Sequence, residues 1–278
     1  MAGISMNRLK EKHPPEGKSG KHPLEGFIDT HLHTAPDAKS RLLNDLEAAE
    51  AASRENMGAI VIKSHLEPTS GRAAIARIQT GLDVFGGVCL NSSVGGLNVE
   101  AVKTTASMDG KVVWLPTTSR DEIDFTLKEN WDKLEDIITL IAEDDLILAT
   151  GHLQVADIFP VLDLAGSRGV DKIIINHPLT RVVGATVEEQ KEMSRRAYLE
   201  HCYVACLPGH DGLDPQRIAT AVKEVGARRC ILATDLGQIH NPQPTQGFKV
   251  FIDTMMELGI SHKEVEIMCR VNPNHLFY

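Results

Sequence analysis

His31, His33, His152, His177 and Asp235 are all residue types that ligate divalent cations, and each stands at the end of a short apolar run. The runs are Gly-Phe-Ile-Asp-Thr-His31-Leu-His33, Leu-Ile-Leu-Ala-Thr-Gly-His152, Lys-Ile-Ile-Ile-Asn-His177 and Cys-Ile-Leu-Ala-Thr-Asp235. One more, Ala-Ile-Val-Ile-Lys63-Ser-His65, ends in a lysine and a histidine. Imidazole nitrogen and carboxylate oxygen together suit zinc, manganese or iron. A bound ion of that kind activates water for hydrolysis. Asp235 would otherwise be a costly buried carboxylate, and beside a metal it can also take a proton from the water. Its alternative is to cap the backbone amides of Asp-Leu-Gly. His177 is a second candidate for the chemistry and, like His152, would be a hydrogen-bonded structural histidine if it stood alone.

Strand side chains alternate, so His31 and His33 share a side, and Asp29 shares it with them. Asp29 either orients a ring from behind or pairs with a backbone group. Lys63 has three readings: a contact to an anionic substrate group, a carbamylated bridge between two metals, or an ion-pair partner of Glu67 or Asp29. His65, Arg72, Trp114 and His240 are candidates for contacting substrate. Arg72 follows the loop Glu67-Pro-Thr-Ser-Gly, where amides at a helix start would add to an anion site. Thr69 and Ser70 there are expected to cap the helix. Asn91, Arg120, His210 and Asp211 also lie at or after strand ends and are expected to line the pocket.

Residues so far apart converge only if the strands that carry them are parallel and end at one mouth. The expected strands are 27–31, 59–63, 83–90, 111–115, 146–149, 172–176, 203–207 and 230–234. The helices between them are expected near 42–56, 71–80, 99–107, 133–143, 155–168, 187–200, 215–225 and 248–258. Strands alternating with helices give a parallel sheet, and eight such units favour a closed α/β barrel of the (β/α)8, or TIM, type. No glycine-rich dinucleotide fingerprint follows the first strand. Asn272-Pro273 opens a short closing helix, with proline at a first helical position. Residues 1–24 are expected to be a flexible tail, with His13 and His22 solvated in it. Residues 25–278 then form a single barrel domain.

The 278 residues and 42% hydrophobic content are in range for one such domain. A net charge of −9 argues against a nucleic-acid or anionic-membrane surface. No apolar run nears the length of a membrane span, and the N-terminus lacks a signal-peptide core. The five cysteines are an odd number and read as reduced thiols of a cytoplasmic protein, with Cys202 and Cys206 as small apolar residues in or near a strand. Barrels often pair through their outer helices, so homo-oligomerisation stays open.

This pattern resembles the amidohydrolase superfamily of metal-dependent hydrolases, over a span from Asp29-Thr-His31-Leu-His33 to Asn272-Pro273. The resemblance implies a (β/α)8 barrel and one or two divalent ions, zinc being the first choice. It implies His-x-His after the first strand, His after the fifth and sixth, and Asp after the eighth; His31, His33, His152, His177 and Asp235 match in that order. One departure stands out. Binuclear members carry a carboxylated lysine or a glutamate on the fourth strand, and here that strand ends Val-Val-Trp114-Leu-Pro-Thr-Thr. Either Lys63 of the second strand or another group substitutes, or the site holds one metal. The stretches Lys-Ser-His-Leu-Glu-Pro-Thr and Ala-Thr-Asp-Leu-Gly-Gln look like those of an uncharacterised branch. The expected activity is hydrolysis of a small, anionic amide, lactone or ester. Two other readings are a metal-dependent decarboxylase or lyase on the same barrel, and a binding protein that kept the pocket without the chemistry.

Overall fold

The computed structural model describes residues 23–278. The expected tail lies almost wholly outside them, together with His13 and His22. Leu24, counted with that tail, is a fully buried core residue.

Among the described residues nine short parallel strands run in chain order: β1 Ile28–Leu32, β2 Ala59–Ile62, β3 Asp83–Phe85, β4 Gly87–Cys89, β5 Val112–Trp114, β6 Ile147–Ala149, β7 Ile173–Asn176, β8 Tyr198–Cys202 and β9 Cys230–Ala233. Almost every strand residue is buried, which is why the strands read as continuous apolar runs rather than alternating ones. The helices are α1 Asp45–Arg54, α2 Ser70–Thr80, α3 Val99–Ser107, α4 Lys128–Glu143, α5 Val155–Ser167, α6 Val187–Met193, α7 Pro215–Val225, α8 Pro244–Glu257, α9 His262–Glu266 and α10 Asn272–Phe277.

Pairing runs β1-β2-β3 and then β4 through β9. β3 and β4 are the two halves of the expected third strand, divided at Gly86. There Thr69 presses onto the strand: its amide donates to Gly87 O at 2.8 Å and its hydroxyl accepts from Gly87 N at 3.0 Å. A side chain on Gly86 would meet Thr69 O at 2.6 Å. On the other side β1 meets β9. Asp235 N donates to His31 O at 2.7 Å and His33 N to Leu236 O at 2.8 Å, which completes the ring. Asp29 joins the same seam, accepting from Thr234 N at 2.9 Å and Thr234 Oγ1 at 2.6 Å. Of its two expected roles it therefore takes the backbone-pairing one.

Two apolar layers hold the barrel. The outer one packs Ile60, Ile62, Val113, Leu148, Ile175 and Leu232 against the helices. The inner one contains Val61, Phe85, Trp114, Ile147, Ile174 and Ile231, and Leu276 and Phe277 of α10 join it from the end of the chain. Pro273 sits in the first turn of α10, as expected.

The seventh unit differs from the sequence expectation. The helix ends at Met193 instead of reaching 200, the strand is 198–202, and 203–206 is a 3-10 turn. Glu, Gln, Lys, Met, Arg, Ala and Leu residues over 189–200 favour a helix by local propensity. Pairing of Tyr198–Glu200 with β7 and of Leu199–Cys202 with β9 buries the segment on both faces and overrides that preference.

Candidate metal centre at the barrel mouth

The C-terminal ends of β1, β2, β6, β7 and β9 bring His31, His33, Lys63, His65, His152, His177 and Asp235 together. Adjacent ring centroids lie close: His31–His33 5.5 Å, His33–His65 4.8 Å, His65–His152 5.9 Å, His152–His177 5.0 Å and His177–His31 6.1 Å. Asp235 Oδ1 stands 3.0 Å from His33 Nε2 and 3.3 Å from His31 Nε2. The two sequence-predicted ligand residues with left-handed backbone are His177, at φ 29°, and Asp235, at φ 52°. Such φ values cost a non-glycine residue roughly 1–3 kcal/mol and concentrate at functional sites. Gly237 makes the approach of the β9 loop possible, since a Cβ there would fall 1.8 Å from His33 O.

The other nitrogen of each leading histidine fixes its tautomer. His33 Nδ1 lies 2.9 Å from Lys63 O, a carbonyl that only accepts, so Nδ1 carries the hydrogen and Nε2 the lone pair. His31 Nδ1 lies 2.9 Å from Glu200 Oε2. Burial would raise the Glu200 carboxyl, but His31 and the hydrogen bonds it accepts from His31, Thr30 and Asn176 hold it below its ordinary range. It is therefore an ionised acceptor that takes the Nδ1 hydrogen, and the neutral form of the His31 ring then presents a lone pair at Nε2. Burial pushes His33 down to about 4, so its ring is neutral near pH 7. Asp235 is held well below the carboxylate range by His31, His33 and His177 despite its burial. Three acceptors thus face one another with no hydrogen between them. Lys63 Nζ, 3.3 Å from His31 Nε2, is the donor that reaches this group.

Such a group needs a cation. A neutral-nitrogen and carboxylate donor set backed by Nδ1–H bonds is what a divalent metal takes. A second candidate cluster, His31, Glu200 and Cys202, does not fit. Its His31 nitrogen carries hydrogen, and burial pushes the Cys202 thiol well up, away from the thiolate that would ligate.

The remaining predicted residues are placed as follows. His152 and His177 border the cluster with rings kept neutral by burial, pushed down to about 2 and about 4. His177 Nδ1 is 3.0 Å from Thr180 Oγ1. His65 stacks on His33, and its Nδ1 is 2.7 Å from Thr117 Oγ1. Lys63 is buried, its Nζ 5.5 Å from the Trp114 ring centroid. Trp114 belongs to the interior apolar layer rather than to the open mouth. Arg72 is turned to its own chain, donating to Asp45 at 2.8 and 2.9 Å, to Glu67 at 2.6 Å and to Thr34 O at 3.1 Å. It clamps α1, α2 and the loop after β1, and the anion site expected of it is not formed. Thr69 makes no side-chain cap either; its hydroxyl donates to Ile62 O at 2.8 Å. Asp211 pairs with Arg181, and Arg120 holds the carbonyls of His152 and Val182. His210 and His240 line a cavity between the loops that follow β1, β8 and β9.

Glu200 is the residue that sequence reasoning missed. Thr30 Oγ1 donates to its Oε1 at 2.6 Å and Asn176 Nδ2 to its Oε2 at 2.8 Å, so residues of β1, β7 and β8 converge on one carboxylate. The available signal was Tyr-Leu-Glu-His-Cys-Tyr-Val, a β-rich stretch whose glutamate has no place in a buried strand unless it is paired.

Residues 26–200 match a family model described as a family of unknown function, DUF6282. The chain belongs to that family. The matched span holds every site residue named above up to Glu200 and stops short of Asp235. The comparison with curated proteins gives no match. Among solved structures the chain is similar to a mutant organophosphorus hydrolase from Deinococcus radiodurans, with TM-score 0.64 and 15% identity over 94% of this chain and 96% of that one. It is also similar to an amidohydrolase from Burkholderia multivorans, with TM-score 0.66 and 11% identity over 90% and 98%. The third is 2,6-dihydroxybenzoate decarboxylase from Rhizobium, with TM-score 0.58 and 9% identity over 91% and 98%. At these identities the likeness establishes the fold, the α/β barrel expected from the sequence. Among the described residues no helix is long and apolar enough to cross a membrane.

Proposed function

We propose that this chain is a metal-dependent hydrolase of the amidohydrolase kind, acting on a small ester, lactone or amide. The observation that carries the reading is the convergence of both imidazole Nε2 atoms on one carboxylate: Asp235 Oδ1 lies 3.0 Å from His33 Nε2 and 3.3 Å from His31 Nε2, while the two Nδ1 atoms are engaged by the Lys63 carbonyl and Glu200. These atoms would hold one divalent ion, with His152 and His177 as further ligands or as contacts to the substrate oxygen. Zinc is the first choice, with manganese or iron as alternatives. When bound, such an ion is a Lewis acid that lowers the pKa of water from about 15.7 towards 7.

Each side chain then has a task that follows from its position. Asp235, ionised and beside both histidines, accepts the proton of the attacking water and returns it to the leaving group. His31 is held in one tautomer by Glu200, and His33 by the Lys63 carbonyl. The Lys63 ammonium donates where negative charge builds on the reacting carbonyl. His177, fixed by Thr180, faces the same space. Barrel walls of apolar residues exclude water from behind the site.

The test is elemental analysis of protein purified without chelators, beside a His31→Ala/His33→Ala variant. About one or two equivalents of metal per chain are expected, lost in the variant. Wild type that is metal-free and refuses added metal would overturn the reading. Assaying metal-loaded protein for released carbon dioxide as well as for hydrolysis separates a decarboxylase on this scaffold from a hydrolase.

A further inference from the structure

A cavity of 640 Å³ lies between the loops that follow β1, β8 and β9, two of which carry His33 and Asp235 at their roots. That volume is in the range of small-molecule sites. Its wall is apolar at Leu207, Pro208, Ile239 and Pro242, and Ile239 is 48% exposed. Among the described residues no carboxylate lines it. Two cationic side chains do, Lys39 and Arg41. Arg41 is already neutralised by Asp37, through bonds of 3.0 and 2.8 Å. Among the described residues the Lys39 ammonium has no partner, so it is the charge left for a ligand. His210, in the same lining, supplies a directed donor. Its Nε2 is 2.9 Å from Asn241 Nδ2, an amide nitrogen that donates, so the ring hydrogen sits on Nδ1. Asn241 Nδ2 also donates to Gln238 Oε1 at 2.7 Å, and Gln238 Nε2 donates to Asp235 O at 2.9 Å. The cavity wall and the metal-binding aspartate are therefore parts of one hydrogen-bonded loop.

We infer that this cavity binds the distal part of the substrate, and that the substrate is an amphiphilic monoanion: an ester, lactone or amide with an aliphatic body ending in a carboxylate. The aliphatic body lies on Leu207, Ile239 and Pro242, and the carboxylate meets Lys39 and the His210 N–H. A single free ammonium balances a monoanion, and Arg41, paired with Asp37, adds no second free charge for a dianion. The inference rests on the hydrolase reading in one respect, that it takes the cavity's ligand to be the substrate.

Hexanoate and 1-hexanol share an aliphatic body and differ in charge, so they probe the site without turnover. Their binding is to be followed by ligand-observed NMR titration on metal-loaded wild type, on chelator-stripped wild type and on Lys39→Met. Lys39 is exposed on a loop, and its removal leaves the core untouched. Hexanoate is expected to bind both forms of wild type at least about fivefold more tightly than hexanol, and Lys39→Met to remove that preference while leaving hexanol unchanged. Hexanoate binding that vanishes with the metal would overturn the inference, since the carboxylate would then sit on the metal, and would leave the metal reading intact. Equal binding of the two probes, or none, would also overturn it. Lys39-dependent binding to a chain that takes up no metal would uphold the cavity and remove only the hydrolase.

Discussion

Two sides of the barrel mouth are equally polar and equally buried, yet only one has the character of a binding site. On the side of β2, β4 and β5, Asn91 donates to His65 O at 2.9 Å and Thr117 Oγ1 at 2.7 Å. Its Oδ1 accepts from Thr117 N at 2.8 Å and Ser119 Oγ at 3.0 Å. Donors meet acceptors there, and the network is closed. On the side of β1 and β9, His31, His33 and Asp235 meet as acceptors only, and their donors are turned outward to Glu200 and the Lys63 carbonyl. The density of polar groups does not separate the two; the hydrogen-bond balance does. A closed network fixes the shape of the core, and an unbalanced one suits a cation.

The largest effect should come from Asp235→Asn. The amide keeps the size of the side chain but neither attracts a cation as strongly nor takes a proton. Hydrolysis of a panel of small lactones and esters by metal-loaded protein should fall by about 10²–10⁴-fold with the fold retained by circular dichroism. Turnover that survives would remove Asp235 from its role and make this side of the mouth as structural as the other.

Next comes acid. In the folded, metal-stripped chain burial lowers His33, His65, His152, His177 and His201 below their ordinary 6.5. The unfolded chain therefore binds more protons than the folded one from about pH 6.5 down towards 4, and stability falls with pH across that window. Asp29 acts oppositely, because burial raises it to about 7 and the folded chain holds its proton as pH falls. Five histidines outnumber one aspartate, so the net loss between pH 7 and pH 5 should be of the order of a few kcal/mol. Urea unfolding of the stripped protein at the two pH values measures it. An unchanged midpoint would mean that the rings are charged in the fold, and the acceptor-only arrangement would fail with it.

Glu200→Gln touches the open side from behind. It removes the charge that holds His31 Nδ1–H while keeping volume and one acceptor. Metal affinity, measured by competition with a chromophoric chelator, should drop by about 10–100-fold. Affinity equal to wild type would reduce Glu200 to a spacer between β1, β7 and β8.

The open side was largely legible in the sequence because its ligands end apolar runs. His31, His33, His177 and Asp235 stand where a parallel strand must stop, and no long-range information is needed to see that. Glu200 was hidden because Arg195-Arg196-Ala197 leading to Glu200 favour a continued helix locally, whereas the chain turns there and Tyr198–Cys202 is drawn into β8 by pairing on both sides. Arg72 misled for the opposite reason. An arginine at a helix start suggests an anion site, and only the fold brings Asp45 and Thr34 close enough to use it up. The missing bridge of β5 was legible as an absence, since Trp114 ends that strand inside the apolar layer.

The smallest effect belongs to the closed side. Thr117→Val takes one hydroxyl from a group in which Asn91 keeps its bond to His65 O, and His65 Nδ1 loses its partner at 2.7 Å. Stability by urea unfolding should fall by about 1 kcal/mol. Metal content should stay at the wild-type level, because His65 meets the cluster through ring contacts with His33 and His152. Loss of metal in this variant would show that Thr117, through His65, also holds the acceptors in place, and the division between a closed and an open side of the mouth would no longer hold.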